Sequence, residues 1–367
     1  AYGGSLILRA PFFMVTKLWH GGELAIYQAS AAPCLAATGA LGVWLVARMR
    51  ASGASTFARA VALMLCVANP LTLSALEIGH PEELLGAVLC IAAVACAMHD
   101  RPAWAGLLLG LAIPNKEWAV LAVGPVLVAL PRARVQALLI ASAVAGAVLA
   151  PFIVGASGGF VTQGTATSLG SGSIFQPWQI WWFLGSHGHV VKGLNGNIKV
   201  GYRTPPGWIE TIGHPLIVAI MVPLSALLAV VRRRRTYRVP NAPLLLLALL
   251  LALRCVLDPW DVSYYSLPFL LCLLAWETLS FNRPPVLALI AVFAAWFIFQ
   301  RTSTLSLSAD MQALIFAIVS IPSVVALGVA LYAPGVARLW VLRPRRNAAS
   351  APADWPYSPT QKAGVGT

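Results

Sequence analysis

The stretch EIGHPEELLG, residues 77–86, places Glu77, His80, Glu82 and Glu83 between two long apolar runs. Three of the chain's twelve carboxylates therefore sit within seven positions, beside a histidine. That is the set of groups general acid–base chemistry uses, one to take a proton from a reacting hydroxyl and another to orient it. Glu77, His80 and Glu82 are the catalytic candidates. The structural alternative is a capped turn: Gly79 and Pro81 break one helix and start the next, and Glu82 and Glu83 stand at a helix N-terminus, where the dipole favours anions. No metal-ligand spacing accompanies them.

Two further stretches carry charge into apolar surroundings. PNKEW, residues 114–118, interrupts an apolar run, and a lysine at that depth must face protein, water or an anion. Neighbouring helical positions point about 100° apart, so Glu117 does not face Lys116. A phosphate is the expected partner, with Lys116→Met expected to keep the fold and abolish the reaction. LRCVLDPWDVSYY, residues 253–265, spaces Arg254 and Asp258 as an i, i+4 pair that can meet on one helix face. The alternative is Arg254 as a second phosphate ligand, for which its planar fork is suited. Asp258, Asp261 and Tyr264 follow as candidate acceptor-binding groups, joined by His187 and His189 from a polar loop.

These groups must be positioned by membrane helices. The chain is 59% apolar and 10% charged, against about a quarter charged in soluble proteins. Runs long enough to cross, or nearly cross, the bilayer as helices recur along it. We read them at 24–47, 60–76, 84–98, a shorter pair at 104–114 and 117–130, then 135–154, 214–231, 241–257, 264–281, 285–300 and 312–332. The expected fold class is all-α: a polytopic transmembrane helical bundle of about 9–11 membrane helices, with interfacial helices and loops at the outer face. The segment before residue 24, carrying Arg9 and Lys17, reads as one interfacial helix, and the aromatic stretch around Trp178, Trp181 and Trp182 as another. The Gly/Ser/Thr-rich run that precedes it, from residue 155, reads as a flexible loop.

The net charge of +13 sorts by loop. Arg48, Arg50, Arg59, Arg101, Arg132, Arg134, Arg232 to Arg235, Arg238 and Arg283 fall on one side if 104–130 enters and returns to the same face. That side is cytoplasmic by the positive-inside rule. The basic balance is therefore a topology signal, with attraction to anionic membrane lipids added, and calls for no nucleic acid. Most carboxylates fall on the other, outer side. Residues 1–335 read as one membrane domain and 336–367 as a basic, then disordered cytoplasmic tail. The six cysteines lie inside apolar runs, as small buried hydrophobes.

The run GHPEELLGAVLCIAAVACAMHDRPAWAGLLLGLAIPNKEWAVLAVGPVLVALPRAR resembles one region of the integral-membrane glycosyltransferases of the C superfamily, nearest to family 87, the polyprenol-phosphate-mannose-dependent mannosyltransferases. The elements are Gly79-His80, Arg101, Gly106 to Ala112, Lys116 and Arg132, and DPWDVSYYSLPFLL looks like that family's outer-loop-to-span junction. The resemblance implies transfer of a sugar, mannose in that family, from a polyprenyl-phosphate-linked donor to a lipid or glycan acceptor at the outer face of a bacterial plasma membrane. It implies no cofactor. It also implies a carboxylate general base on the acceptor hydroxyl, with Lys116 and Arg254 on the donor phosphate. In that superfamily the base is usually an Asp of the first outer loop, and no Asp precedes Asp100 here. Three possibilities follow: a base upstream of Ala1 in an N-terminally incomplete domain, substitution by Glu77, Glu82 or another carboxylate, or an inactive chain. The readings from other classes are a transporter or flippase of a lipid-linked intermediate, and a non-catalytic membrane partner.

Overall fold

The computed structural model of the chain describes residues 3–155, 175–187, 191–192, 198–199 and 201–337. The chain folds as α1 (Gly3–Val15), α2 (Glu23–Ala51), α3 (Thr56–Val67), α4 (Pro70–Ile78), α5 (Glu82–Met98) and α6 (Pro102–Asn115). A 3₁₀ segment, Glu117–Ala122, leads into α7 (Val123–Ala129) and α8 (Arg134–Gly155). After these come α9 (Gly207–Val231), α10 (Ala242–Leu257), α11 (Leu267–Ser280), α12 (Val286–Thr304, its end wound as a π turn) and α13 (Ala309–Tyr332). The extended structure among the described residues is slight: a two-residue antiparallel pairing of Val191–Lys192 with Ile198–Lys199, and a lone bridge from Ser186 to Thr204.

Six helical stretches are long and apolar enough to cross a membrane: Glu23–Ala51, Thr56–Ile78, Arg134–Phe152, Thr211–Val231, Val286–Thr304 and Ala309–Tyr332. This is the all-α polytopic bundle of an integral membrane protein. The long helices are largely exposed along their sides, whereas the shorter α5, α10 and α11 are the most buried. The division has a physical cause. A helix against lipid must satisfy its own backbone across the full apolar thickness, while a helix enclosed by protein can be short or broken, because its neighbours satisfy its ends. The run LLLLALLL of α10 is apolar all round and almost wholly buried, as a central helix should be.

The expected hairpin at 104–130 is present, α6 running to one end of the bundle and the 3₁₀ segment with α7 returning. Small residues set its packing: a Cβ on Gly106 would lie 2.5 Å from the Ala137 carbonyl oxygen, and one on Gly110 2.7 Å from that of Ala141. Thus the two glycines of GLLLGLA let α6 and α8 approach closely. At the arginine-rich end, Glu277 is fully buried and accepts from the backbone N–H groups of Leu287 (3.2 Å) and Ala288 (2.9 Å), capping α12 from α11. At the same end Trp276 Nε1 donates to the Pro240 carbonyl and Arg232 Nη1 to that of Val128.

Two expectations are corrected. The segment before residue 24 is not simply an interfacial helix: α1 packs on α2, α6 and α8, and Arg9 is buried, its Nε donating to the Ser5 carbonyl at 3.2 Å. The aromatic segment 175–187 contains only a 3₁₀ turn, Trp182–Leu184. It is docked on protein, the Ile180 N–H donating to the Val256 carbonyl (3.0 Å) and Trp181 Nε1 to that of Leu257 (2.8 Å). The span read at 60–76 is present within Thr56–Ile78, where the Asn69-Pro70 pair divides it into α3 and α4 and the Asn69 side chain caps α4 through the N–H groups of Leu71 and Thr72. The Gly/Ser/Thr-rich run and the basic tail lie outside the described residues.

Candidate functional site

At the end of the bundle opposite the arginine-rich loops, α4 stops at Gly79, whose φ of +91° turns the chain back. His80 and Pro81 follow, and α5 begins with Glu82 and Glu83, 5% and 0% exposed. Solvation is therefore not what holds these carboxylates. Lys116 does so from the hairpin turn. α6 ends at Asn115, and Lys116 is extended (φ −152°, ψ 128°), which sends its side chain back towards α5. Its Nζ lies 3.2 Å from Glu82 Oε1 and 3.1 Å from Glu83 Oε1. The flanking residues of the motif join it: Asn115 Nδ2 donates to the Glu82 carbonyl at 2.9 Å and Trp118 Nε1 to Glu83 Oε2 at 2.8 Å. Glu117 is exposed.

Two arginines complete the cluster. Arg9 Nη2 is 3.6 Å from Glu82 Oε2, and Arg254 Nη1 is 3.9 Å from Glu83 Oε2. The Arg254 guanidinium also lies over the rings of Tyr265 (4.2 Å) and Trp118 (5.3 Å) and donates to the Tyr265 carbonyl at 3.3 Å. Lys116 and two arginines thus meet two carboxylates. At the partly exposed edge, His80 Nδ1 is 3.0 Å from Glu82 Oε1, and its ring stacks on Tyr264 with centroids 4.3 Å apart. The turn at 77–83 and the segment 258–265 therefore converge.

The geometry corrects several residue assignments. Lys116 does not await a counter-charge: Glu82 and Glu83 supply two, from a helix whose distance in sequence hid them. Arg254 does not pair with Asp258. That carboxylate instead accepts from the Trp260 N–H (3.0 Å) and faces His214 Nε2 at 3.5 Å. Glu77 is exposed on the last turn of α4 and stays outside the cluster. His187 is exposed and lies towards Asp310, where a clasp of Arg203 (2.9 and 3.0 Å) and Trp182 Nε1 (2.7 Å) fixes the 175–187 segment to the start of α13. His189 is outside the described residues.

Asp261 has its own character. It is fully buried, and neither carboxylate oxygen has a hydrogen-bond partner among the described residues. Burial first, then the negative charge of Asp258, push its pKa well above the usual carboxylate range. Among the described residues no group of three or more His, Cys, Asp or Glu side chains is placed to hold a metal ion.

Sequence reasoning missed Arg9, Trp118 and His214 as members of this end. A signal for His214 was present: the tetrapeptide Ile-Gly-His-Pro occurs at 78–81 and again at 212–215. The first copy breaks a helix and the second runs inside α9. Both histidines nevertheless reach the same rim, each against a carboxylate and each beside an aromatic ring.

The fold and this rim define a polytopic helical membrane protein with a buried ionic cluster and two carboxylate-held histidines at one end. Compared with protein-family models, curated proteins and solved structures, the chain finds no match.

Proposed function

We propose that the chain is a membrane glycosyltransferase that moves a sugar from a polyprenyl-phosphate donor to a lipid or glycan acceptor at the outer membrane face. One juxtaposition carries the reading. An apolar cavity of about 590 Å³ runs between α10, α11, α12 and α13, lined by Val256, Phe269, Ala291, Phe316 and Val319 among others. Its lining also includes Cys255 and Ser266, the chain neighbours of Arg254 and Tyr265. A lipid-linked sugar phosphate has the same order of parts: a long apolar chain, an anionic phosphate, then a hydroxylated sugar. The apolar lining of the groove supports a polyprenyl chain as its occupant, and Arg254, in a cluster with one more cation than carboxylate, suits the phosphate.

In the reaction, the acceptor hydroxyl oxygen bonds to the anomeric carbon while the bond from that carbon to the phosphate oxygen breaks. The polyprenyl phosphate leaves with the electron pair, and the hydroxyl proton passes to a base. His80 suits this role. Glu82 holds Nδ1, which leaves Nε2 to accept the proton, as a histidine oriented by a carboxylate does. That the sugar is mannose rests on the sequence resemblance alone.

The test is release of polyprenyl phosphate from polyprenyl-phosphate mannose by the full-length protein in lipid nanodiscs supplied with membrane glycolipids. Wild-type protein that leaves the donor intact with every glycolipid fraction refutes the reading. The orientation has a separate check. In intact cells, a membrane-impermeant maleimide is expected to label Ser186→Cys and to spare Thr236→Cys. Labelling of only the second would place the cluster on the cytoplasmic side.

A further inference from the structure

His214 stands at the same end of the bundle but outside the cation-rich cluster. Asp258, itself 3% exposed, lies 3.5 Å from its Nε2 and fixes one side of the ring. Trp260 meets it edge-on, with centroids 5.0 Å apart, and both rings keep part of their surface exposed. Pro259 packs against Gly213, the residue before His214, so the 258–260 turn and the start of α9 form one wall. Glu117, exposed at the hairpin turn, is within electrostatic reach of the imidazole.

This combination specifies a ligand chemistry. Asp258 at the imidazole, with Glu117 within electrostatic reach, disfavours a phosphate or carboxylate ligand at this ring, and the Arg254 guanidinium lies against Glu83 and the Tyr265 ring rather than against Asp258. What remains is a partly exposed indole, an imidazole with Nδ1 left to hydrogen-bond, and an acceptor carboxylate. Apolar faces with a few convergent polar groups bind small neutral molecules, and a pyranose ring offers both surfaces: axial C–H groups for the indole face and hydroxyls for nitrogen and carboxylate. The repeat of Ile-Gly-His-Pro puts a second carboxylate-held histidine on the same rim.

We propose that His214, Asp258, Trp260 and Glu117 form a saccharide subsite that takes a neutral hexopyranose, the acceptor's sugar, next to the donor head group at His80. The assignment to the acceptor rests on the glycosyl-transfer reading. The subsite itself rests on the geometry around His214.

The experiment uses the full-length protein in nanodiscs free of alkyl-glycoside detergent and methyl α-D-mannopyranoside as the probe, followed by saturation-transfer NMR. A second titration uses a short-chain polyprenyl phosphate. Wild-type protein is expected to give a saturable glycoside signal. His214→Ala and Trp260→Leu should each weaken it about tenfold, the size of one lost hydrogen bond or ring contact, with the melting temperature measured alongside. Trp208→Leu, a half-exposed tryptophan 5.8 Å from Trp181, serves as the control and should leave it unchanged. Absence of saturable binding in the wild type overturns the subsite, as does wild-type binding in both the Trp260→Leu and the His214→Ala proteins. Glycoside binding without polyprenyl-phosphate binding would remove the glycosyl-transfer reading and leave the subsite standing. The converse pattern would remove the subsite alone.

Discussion

Lys116→Met is expected to destabilise the protein by about 3–5 kcal/mol, the usual consequence of removing one partner from a buried ion pair. The cause is the position of Nζ between two carboxylates, 3.2 Å from Glu82 and 3.1 Å from Glu83. Methionine replaces the stem and not the charge. Glu83 would keep only the Trp118 indole at 2.8 Å and Arg254 at 3.9 Å. Glu82 would keep His80 at 3.0 Å and Arg9 at 3.6 Å. The outcome opposes the sequence-based expectation that this variant stays folded and loses only its chemistry. The measurement is thermal denaturation of the purified protein in lipid. The double variant Lys116→Met, Glu83→Gln should recover part of the loss, because neutralising the stranded carboxylate removes much of the penalty. A Lys116→Met protein that melts with the wild type would mean the lysine is not the centre of the cluster.

Arg254→Met should behave in the opposite proportion. Its contact with Glu83, at 3.9 Å, is the longest in the cluster, and Glu83 retains Lys116 and Trp118. The stability loss should therefore be clearly smaller than for Lys116→Met. On the proposed reading Arg254 meets the charge that builds on the leaving phosphate, and deleting such a donor costs on the order of a hundredfold to a thousandfold in turnover. Arg254→Lys should restore stability better than turnover. The lysine keeps the charge but not the planar group that lies over Tyr265 and Trp118. Wild-type turnover in Arg254→Met would take this residue out of the reaction.

The contrast between these two cations shows how far local rules reach. The span boundaries were legible because each is written within one segment: an apolar run, an arginine beyond it, a proline or glycine at its break. The hairpin turn at Lys116 followed from two apolar runs too short to cross alone between Arg101 and Arg132. The helix breaks at 77–83 and 258–265 were legible as two stretches rich in ionisable groups. Partner choice was not legible in this way. The i, i+4 rule paired Arg254 with Asp258, although Arg254 lies against Glu83 and Asp258 against His214. Spacing separated Lys116 from Glu117 correctly but said nothing of Glu82 and Glu83.

The sequence by itself determined that the chain is a helical bundle suited to a membrane, roughly where each helix starts and stops, and which breaks carry the ionisable groups. These follow from hydropathy, charge and capping, which act over a few residues. Tertiary structure alone decided which charges meet. A surface helix announces its inward face by alternating polar and apolar positions. The central helices α5, α10 and α11 are apolar on every side, so their sequences contain little rotational information. Only packing against specific neighbours turns Glu83 towards Lys116, brings Arg9 of α1 to Glu82, and sets two histidines from distant copies of one tetrapeptide on a single rim.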